Sequence, residues 1–234
     1  YIQTILDNFK IPYTHSGAIA SSIAMDKEIS KKLFIKNKIK TPKFFTYSYD
    51  ITKSSLIKKI NKELRFPVVI KPMNEGSSVN VYISNKKYLD KILRKLKDYK
   101  KVLIEEFIGG REIQVAIMGN KKLGAIELKP KRKFYDYQAK YDTKSKTQHI
   151  IPIDLPKSKF NKVMNIAYKA HKIIGCKGVT RSDFKYFNGN FYLLELNTQP
   201  GMTKLSLVPE IALYKGISFL KLIEWMLKDA SKKK

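Results

Sequence analysis

Apolar positions recur at helical spacing in the first nine residues (Ile2, Ile5, Leu6, Phe9) and again within residues 19–37, through Ile29, Leu33 and Phe34. Asp26 suits an N-cap inside that second region, and Thr41-Pro42 ends it, because a residue before proline leaves the helical basin. KFFTYSY reads as a strand, residues 52–64 as a helix with Leu56, Ile57 and Ile60 on one face, and PVVIK as a short strand ending on Lys71. A polar turn, NEGSSVN, leads to the strand VYI and a helix over about 86–97. Then the texture changes. VLIEEFI, REIQVAIM and KLGAIEL read as three consecutive strands of an antiparallel meander, separated by Gly-Gly and Gly-Asn turns. A polar loop rich in Lys, Tyr and Asp fills 129–147, and Val163, Ile166, Ala167, Ala170 and Ile174 mark one long helix. Strands over about 178–187 and 190–196 flank Asn188-Gly189-Asn190, and a C-terminal helical region carries Leu220, Ile223 and Leu227.

This alternation predicts an α+β protein of two lobes. The expected division is 1–16 as the remnant of an N-terminal α/β domain, 17–104 as a central lobe, 105–230 as a C-terminal lobe and 231–234 as a basic tail. The chain starts without Met on an already periodic pattern, which reads as a chain entered in mid-helix. No apolar run approaches the roughly 18–20 residues of a membrane span, so no membrane partner is expected. The first residues have neither the basic nor the long apolar region of a signal peptide. A single cysteine, Cys176, excludes an internal disulfide and sits in the apolar run IIGCKGV, as an inert buried thiol would.

The net charge of +27 raises a nucleic-acid reading. Only five of the 47 basic residues are arginines, the side chain that makes bidentate phosphate and base contacts. The lysines are spread through every polar stretch, including KEISKKLFIKNKIK, and read as solvated faces. No specific nucleic acid is therefore expected, although the field would draw in anionic nucleotides.

Three clusters carry chemistry. The Glu75-Gly76-Ser77-Ser78 turn beside Lys71 can bring backbone N–H groups close to phosphate oxygens, without a Walker A or GxGxxG signature. Arg181 and Asp183 lie two apart on one strand, and Glu195 and Asn197 two apart on the next. A hairpin of that register gathers Asp183, Glu195 and Asn197 into a hard oxygen set suited to Mg²⁺ or Mn²⁺. The alternative is cross-strand charge pairing on an exposed face. The third cluster, FYDYQAKY at 134–141, places Lys140 among tyrosines in a loop long enough to act as a lid.

Taken together, MDK at 25–27, VIKPMNEGSSV at 69–79, IEEFIGGRE at 104–112, FYDYQAKY, GCKGVTRSDF at 175–184, LLELNTQPGMT at 193–203 and SLVP at 206–209 stand in the order found in D-alanine–D-alanine ligases. The chain resembles that family over nearly its whole length. The resemblance implies an ATP-grasp fold with the nucleotide between two α+β lobes. It also implies ATP-dependent joining of two D-alanines through an acyl phosphate, for peptidoglycan precursor synthesis in the cytoplasm. By the same resemblance Lys27 and Lys71 are nucleotide phosphate ligands, and Ser77 and Ser78 belong to the loop covering the phosphates. Glu105, Glu106 and Ile108 frame the adenine, and Glu112 accepts from the ribose hydroxyls. Lys140 contacts the transferring phosphate and Tyr141 closes the lid, Tyr141 also matching D-alanine-adding members. Asp183, Glu195 and Asn197 hold two Mg²⁺ or Mn²⁺ ions. Arg181 and the Gly201 N–H stabilise the tetrahedral oxyanion, with Ser77 near the first substrate, and Ser206 and Leu207 receive the carboxylate of the second D-alanine.

Family members are often homodimers, so a homodimer is an assembly the resemblance allows. They also carry an N-terminal domain whose acidic residue binds the ammonium of the first D-alanine. No residue here matches it, so the 234-residue chain is expected to bind ATP with Mg²⁺ and to ligate poorly. The rival readings are another ATP-grasp carboxylate–amine ligase, a basic nucleic-acid-binding module and a non-catalytic homologue.

Overall fold

The computed structural model describes residues 2–130 and 147–232. Three helices open the chain: α1 (Ile2–Asn8), α2 (Ala18–Met25) and α3 (Lys27–Lys36). The single helical region expected over 19–37 is broken at Asp26. Its backbone is extended there, and its side chain accepts from the N–H groups of Glu28 and Ile29, capping α3.

The next elements are β1 (Phe44–Tyr47), α4 (Lys53–Glu63), β2 (Val68–Pro72), β3 (Tyr82–Ser84), α5 (Leu89–Lys95) and β4 (Val102–Glu106). The four strands form one antiparallel sheet in the order β1-β4-β2-β3. Val68, Ile70, Val102 and Ile104 point to a core closed by Leu56 and Ile60 of α4 and Leu89, Ile92 and Leu93 of α5. Period-two alternation sends Val69, Lys71, Leu103 and Glu105 to the opposite face.

A second antiparallel sheet contains β5 (Arg111–Met118), β6 (Lys121–Lys129), β7 (Gln148–Ile150), β8 (Val179–Phe187) and β9 (Asn190–Asn197), in the order β7-β6-β5-β8-β9. The helix α6 (Lys157–Ile174) covers one face through Val163, Ala167 and Ala170. Two further helices, α7 (Leu207–Tyr214) and α8 (Phe219–Ala230), cover part of the other through Val208, Ile211 and Leu222. Covered on both sides, β5 is buried from Glu112 to Met118, and Glu112 lines the cleft that the second sheet shares with the first.

Two expectations differ from what forms. The three-strand meander does not exist, because β4 pairs between β1 and β2 in the first sheet and only β5 and β6 make a hairpin. The chain changes sheets in residues 107–110, two residues past the expected boundary. Gly110 makes that passage possible: it has φ +83°, and a Cβ there would lie 2.3 Å from the Tyr186 carbonyl oxygen. The helices α2 and α3 also bury Ala20, Ala24 and Phe34 in the second sheet's core, although they precede the first sheet in sequence. A strap over 40–43 ties the sheets together, with Lys40 O accepting from Leu193 N (2.8 Å) and Lys43 O from Glu106 N (2.9 Å).

Candidate active site

The free faces of the two sheets enclose a cleft of about 750 Å³, counted out to its open mouth. From the first sheet come Lys71 at the end of β2 and Glu105 on β4, diagonal neighbours on one face. Lys71 Nζ lies 2.5 Å from Glu105 Oε1. Lys27, the first residue of α3, reaches the same cleft and donates to the Glu75 carbonyl oxygen (2.5 Å). Burial holds its ammonium below the usual lysine range, with Glu195 across the cleft opposing that shift.

Ser77 and Ser78 both adopt left-handed backbone conformations (φ 53° and 59°), and Val79 N closes a turn onto Gly76 O at 3.0 Å. A Cβ on Gly76 would meet nothing within 4 Å. The strain therefore falls on the serines and not on the glycine, at roughly 1–2 kcal/mol per residue. Strain of this kind concentrates at ligand clamps. Ser78 lines the cleft, whereas Ser77 stands outside its lining.

The second sheet supplies the opposite wall. Across β8 and β9, Asp183 faces Glu195 and Arg181 faces Asn197, the register the sequence predicts. Arg181 donates to both Asp183 oxygens (2.8 and 3.0 Å) and to Gln114 Oε1 (3.1 Å). One step along β8, Lys185 pairs with Glu112 at 2.9 Å, and both line the cleft. The ladder is bulged between Asp183 and Phe184, leaving Leu194 as an extra residue on β9. Burial alternates through Phe191 and Leu193, then resumes at Leu196 after two half-buried residues. The bulge thus turns both Leu194 and Glu195 into the cleft.

Of the residues the resemblance nominates, Lys27, Lys71, Ser78, Glu105, Glu106, Ile108, Glu112, Asp183 and Glu195 line one cavity. Ser77, Arg181, Asn197, Gly201, Ser206 and Leu207 are not in that lining. Gly201 and Ser206 adjoin each other past the end of β9, where a Cβ on Gly201 would lie 3.2 Å from Ser206 Oγ. The Ser206 hydroxyl accepts from Thr203 N (3.0 Å), and Leu207 begins α7. Lys140 and Tyr141 lie outside the described residues.

The donor set fits a hard divalent ion. Two facing carboxylates and a neighbouring amide provide oxygen ligands, and Asn197 Nδ2 already reaches Asp183 Oδ2 at 3.4 Å. Among the described residues no three His, Cys, Asp or Glu side chains form such a group; Asn197, with its amide turned over, would offer a third side-chain oxygen.

Sequence reading missed four contributors. Leu194 was detectable from the adjacent leucines that interrupt alternation. Glu75 belongs to the NEGSSV turn, where its neighbours Ser77 and Ser78 carry the signal, and Lys185 lies one residue past GCKGVTRSDF. Lys31 lies in a stretch whose lysines look solvated, yet it has no exposed surface and lies 2.9 Å from Glu105 Oε2. Glu105, expected beside the adenine, is 2% exposed and held by two lysines, which outweigh the upward push of burial and keep its carboxyl below the usual range. Cys176 is buried as expected, and burial pushes its thiol up to about 12.

Residues 33–228 match the family model described as D-ala D-ala ligase C-terminus. A D-alanine–D-alanine ligase of Pelagibacter ubique is 70% identical over 99% of this chain and 76% of its own length. The chain belongs to the D-alanine–D-alanine ligase family. The ligase of Wolbachia pipientis wMel is 42% identical over 98% of this chain and 72% of its own. A D-alanine–D-alanine ligase from Bacillus anthracis, solved in complex with ATP, superposes with TM-score 0.83 at 30% identity, over 98% of this chain and 73% of that one. The two-sheet architecture is the ATP-grasp fold of this ligase family.

Proposed function

We propose that this chain binds ATP in the cleft between its two sheets and uses it to join two D-alanines, through an acyl phosphate, for cell-wall precursor synthesis in the cytoplasm. One observation carries this reading: the Lys27 and Lys71 ammonium groups and the facing Asp183 and Glu195 carboxylates open onto the same cavity from opposite walls. Cations on one side and an oxygen set on the other suit a metal-bound polyphosphate.

The two Mg²⁺ or Mn²⁺ ions of our reading, held by Asp183, Glu195 and Asn197, would neutralise charge on the β- and γ-phosphates during transfer. Lys27 from the start of α3 and Lys71 from β2 orient the phosphates. Leu194, Val69, Val81 and Ile108 supply an apolar wall for the base, with Glu106 at its edge and the backbone around Phe107 and Ile108 available for base recognition. Glu112, fixed by Lys185, is assigned to the ribose hydroxyls. Beyond Asn197, Arg181 and the Gly201 N–H are assigned to the oxyanion, and Ser206 with Leu207 to the carboxylate of the second D-alanine. Ser77, at the rim, is assigned to the first substrate, and Lys140 and Tyr141 keep the roles the resemblance implies. We take the two sheets with their helices as the two lobes, and a homodimer as the assembly.

Glu195→Gln is the direct test. ATP binding by the variant should lose its dependence on Mg²⁺, while adenosine binds as before. Unchanged metal-dependent ATP affinity would rule this reading out.

A further inference from the structure

Lys31 is the most deeply buried charged side chain among the described residues, one helical turn beyond Lys27 on α3. Its ammonium lies 2.9 Å from Glu105 Oε2, 2.5 Å from Thr41 Oγ1 and 5.2 Å from the Phe44 ring centroid. Lys71 takes the other oxygen of the same carboxylate. Two buried cations therefore share one buried anion, leaving one unit of excess positive charge beside the cleft. Such burial is costly, and an apolar side chain of similar volume is often as stabilising as a buried ion pair or more so. Stability alone does not account for Lys31, and no step assigned above uses it.

Its effect falls on Lys71. If Glu105 had Lys71 as its only counter-ion, the carboxylate would cancel the lysine's field and hold its ammonium in the wall. With Lys31 on Oε2, the carboxylate is already balanced and Lys71 keeps its charge towards the cleft that it and Glu105 line. We propose that Lys31 is a positioning residue for nucleotide binding: it balances and anchors Glu105, so that Lys71 presents an uncompensated charge to a phosphate group of the bound nucleotide. The inference rests on the nucleotide reading of the cleft. Burial lowers the Lys31 pKa to about 8 against the pull of Glu105, so an arriving anion would also favour its charged form.

Lys31→Met in the full chain tests this, with ATP–Mg²⁺, ADP and adenosine titrated calorimetrically and the melting temperature measured alongside. The variant is expected to bind ATP and ADP about tenfold more weakly, the scale of one charge-assisted hydrogen bond. Adenosine affinity should stay within about twofold, and the melting temperature should hold or rise. Equal losses for ATP and adenosine would indicate packing alone and overturn the inference. So would unchanged ATP binding in a variant whose parent prefers ATP to adenosine. A parent with no such preference would overturn the nucleotide reading itself. Should Lys31→Met not fold, Thr41→Val removes only the hydroxyl that orients the ammonium. It should weaken ATP and ADP about threefold, adenosine remaining unchanged, as expected for a weak share of one such bond; an unchanged ATP-to-adenosine ratio overturns the proposal.

Discussion

Arg181 grips both oxygens of Asp183, Nε to Oδ1 at 2.8 Å and Nη2 to Oδ2 at 3.0 Å, two residues along the same strand. The same guanidinium reaches Gln114 on β5, so it is braced from a second strand. A cation entering between Asp183 and Glu195 has to share Asp183 with this arginine. Arg181 would then be released in part, free to donate to the developing oxyanion of our proposed reaction. Arg181→Met should accordingly leave metal-dependent ATP binding within a few-fold. Whatever D-alanine-dependent phosphate release the parent chain shows should fall by about 100- to 1,000-fold, as for loss of one oxyanion donor. An equal fall in ATP affinity would assign Arg181 to the nucleotide instead.

The sheet faces explain how much of this was legible in the sequence. Alternation and a short Asn188-Gly189 turn, whose residues have the positive φ values of 45° and 74° that tight hairpins need, set the β8–β9 ladder, but continued unbroken it would put Asp183 opposite Leu194; the bulge supplies the one-residue shift to Glu195. Local pattern gave the hairpin and not that shift. It failed at β4, whose partners β1 and β2 are distant in sequence; adjacency to β5 suggested a hairpin that the chain does not make. Lys31 was illegible for a related reason. A lysine in KEISKK carries no local sign of burial, and its ion-pair partner Glu105 stands 74 positions away, brought in by β4. Motif order revealed the cleft's cast, whereas the long-range charge balance within it needed the fold.

Leu194 offers a separate handle on the base. The β9 bulge turns it into the cleft next to Glu195 without disturbing the core residues Leu193 and Leu196. Leu194→Ser should weaken adenosine and ATP alike by roughly five- to tenfold, matching about 1 kcal/mol of lost apolar burial. The Mg²⁺ dependence should persist. If ATP weakens and adenosine does not, Leu194 lies against the phosphates and the orientation proposed for the nucleotide is reversed.

Lys185 holds Glu112 through a 2.9 Å ion pair, with Gln114 Nε2 at 3.4 Å from the other oxygen. Freed from Lys185, the carboxylate would sample more rotamers and lose its aim at a ribose hydroxyl. Lys185→Met should raise the Kd for ATP several-fold, with little effect on 2′,3′-dideoxy-ATP, which has no hydroxyl to offer. Comparable losses for both nucleotides would place Lys185 on a phosphate and separate it from sugar recognition.

His171 gives the fold an acid-sensitive point away from the cleft. It is 2% exposed on α6, with Nδ1 2.8 Å from Thr180 Oγ1 on β8. Burial, aided by Lys172, lowers its pKa from 6.5 to about 4. The folded protein keeps this imidazole neutral, while the unfolded chain protonates it near pH 6.5. Between those values the unfolded state binds more protons, so folding is favoured less as the pH falls. The contribution is complete above pH 6.5 and is lost progressively towards pH 4, up to roughly 3 kcal/mol in all. The melting temperature should therefore drop by several degrees across that window. His171→Gln, which can still hydrogen-bond Thr180, should lower stability at pH 7 slightly and flatten the decline between pH 6.5 and 4. A variant that declines as steeply as the parent would place the acid sensitivity in the carboxylate pairs instead.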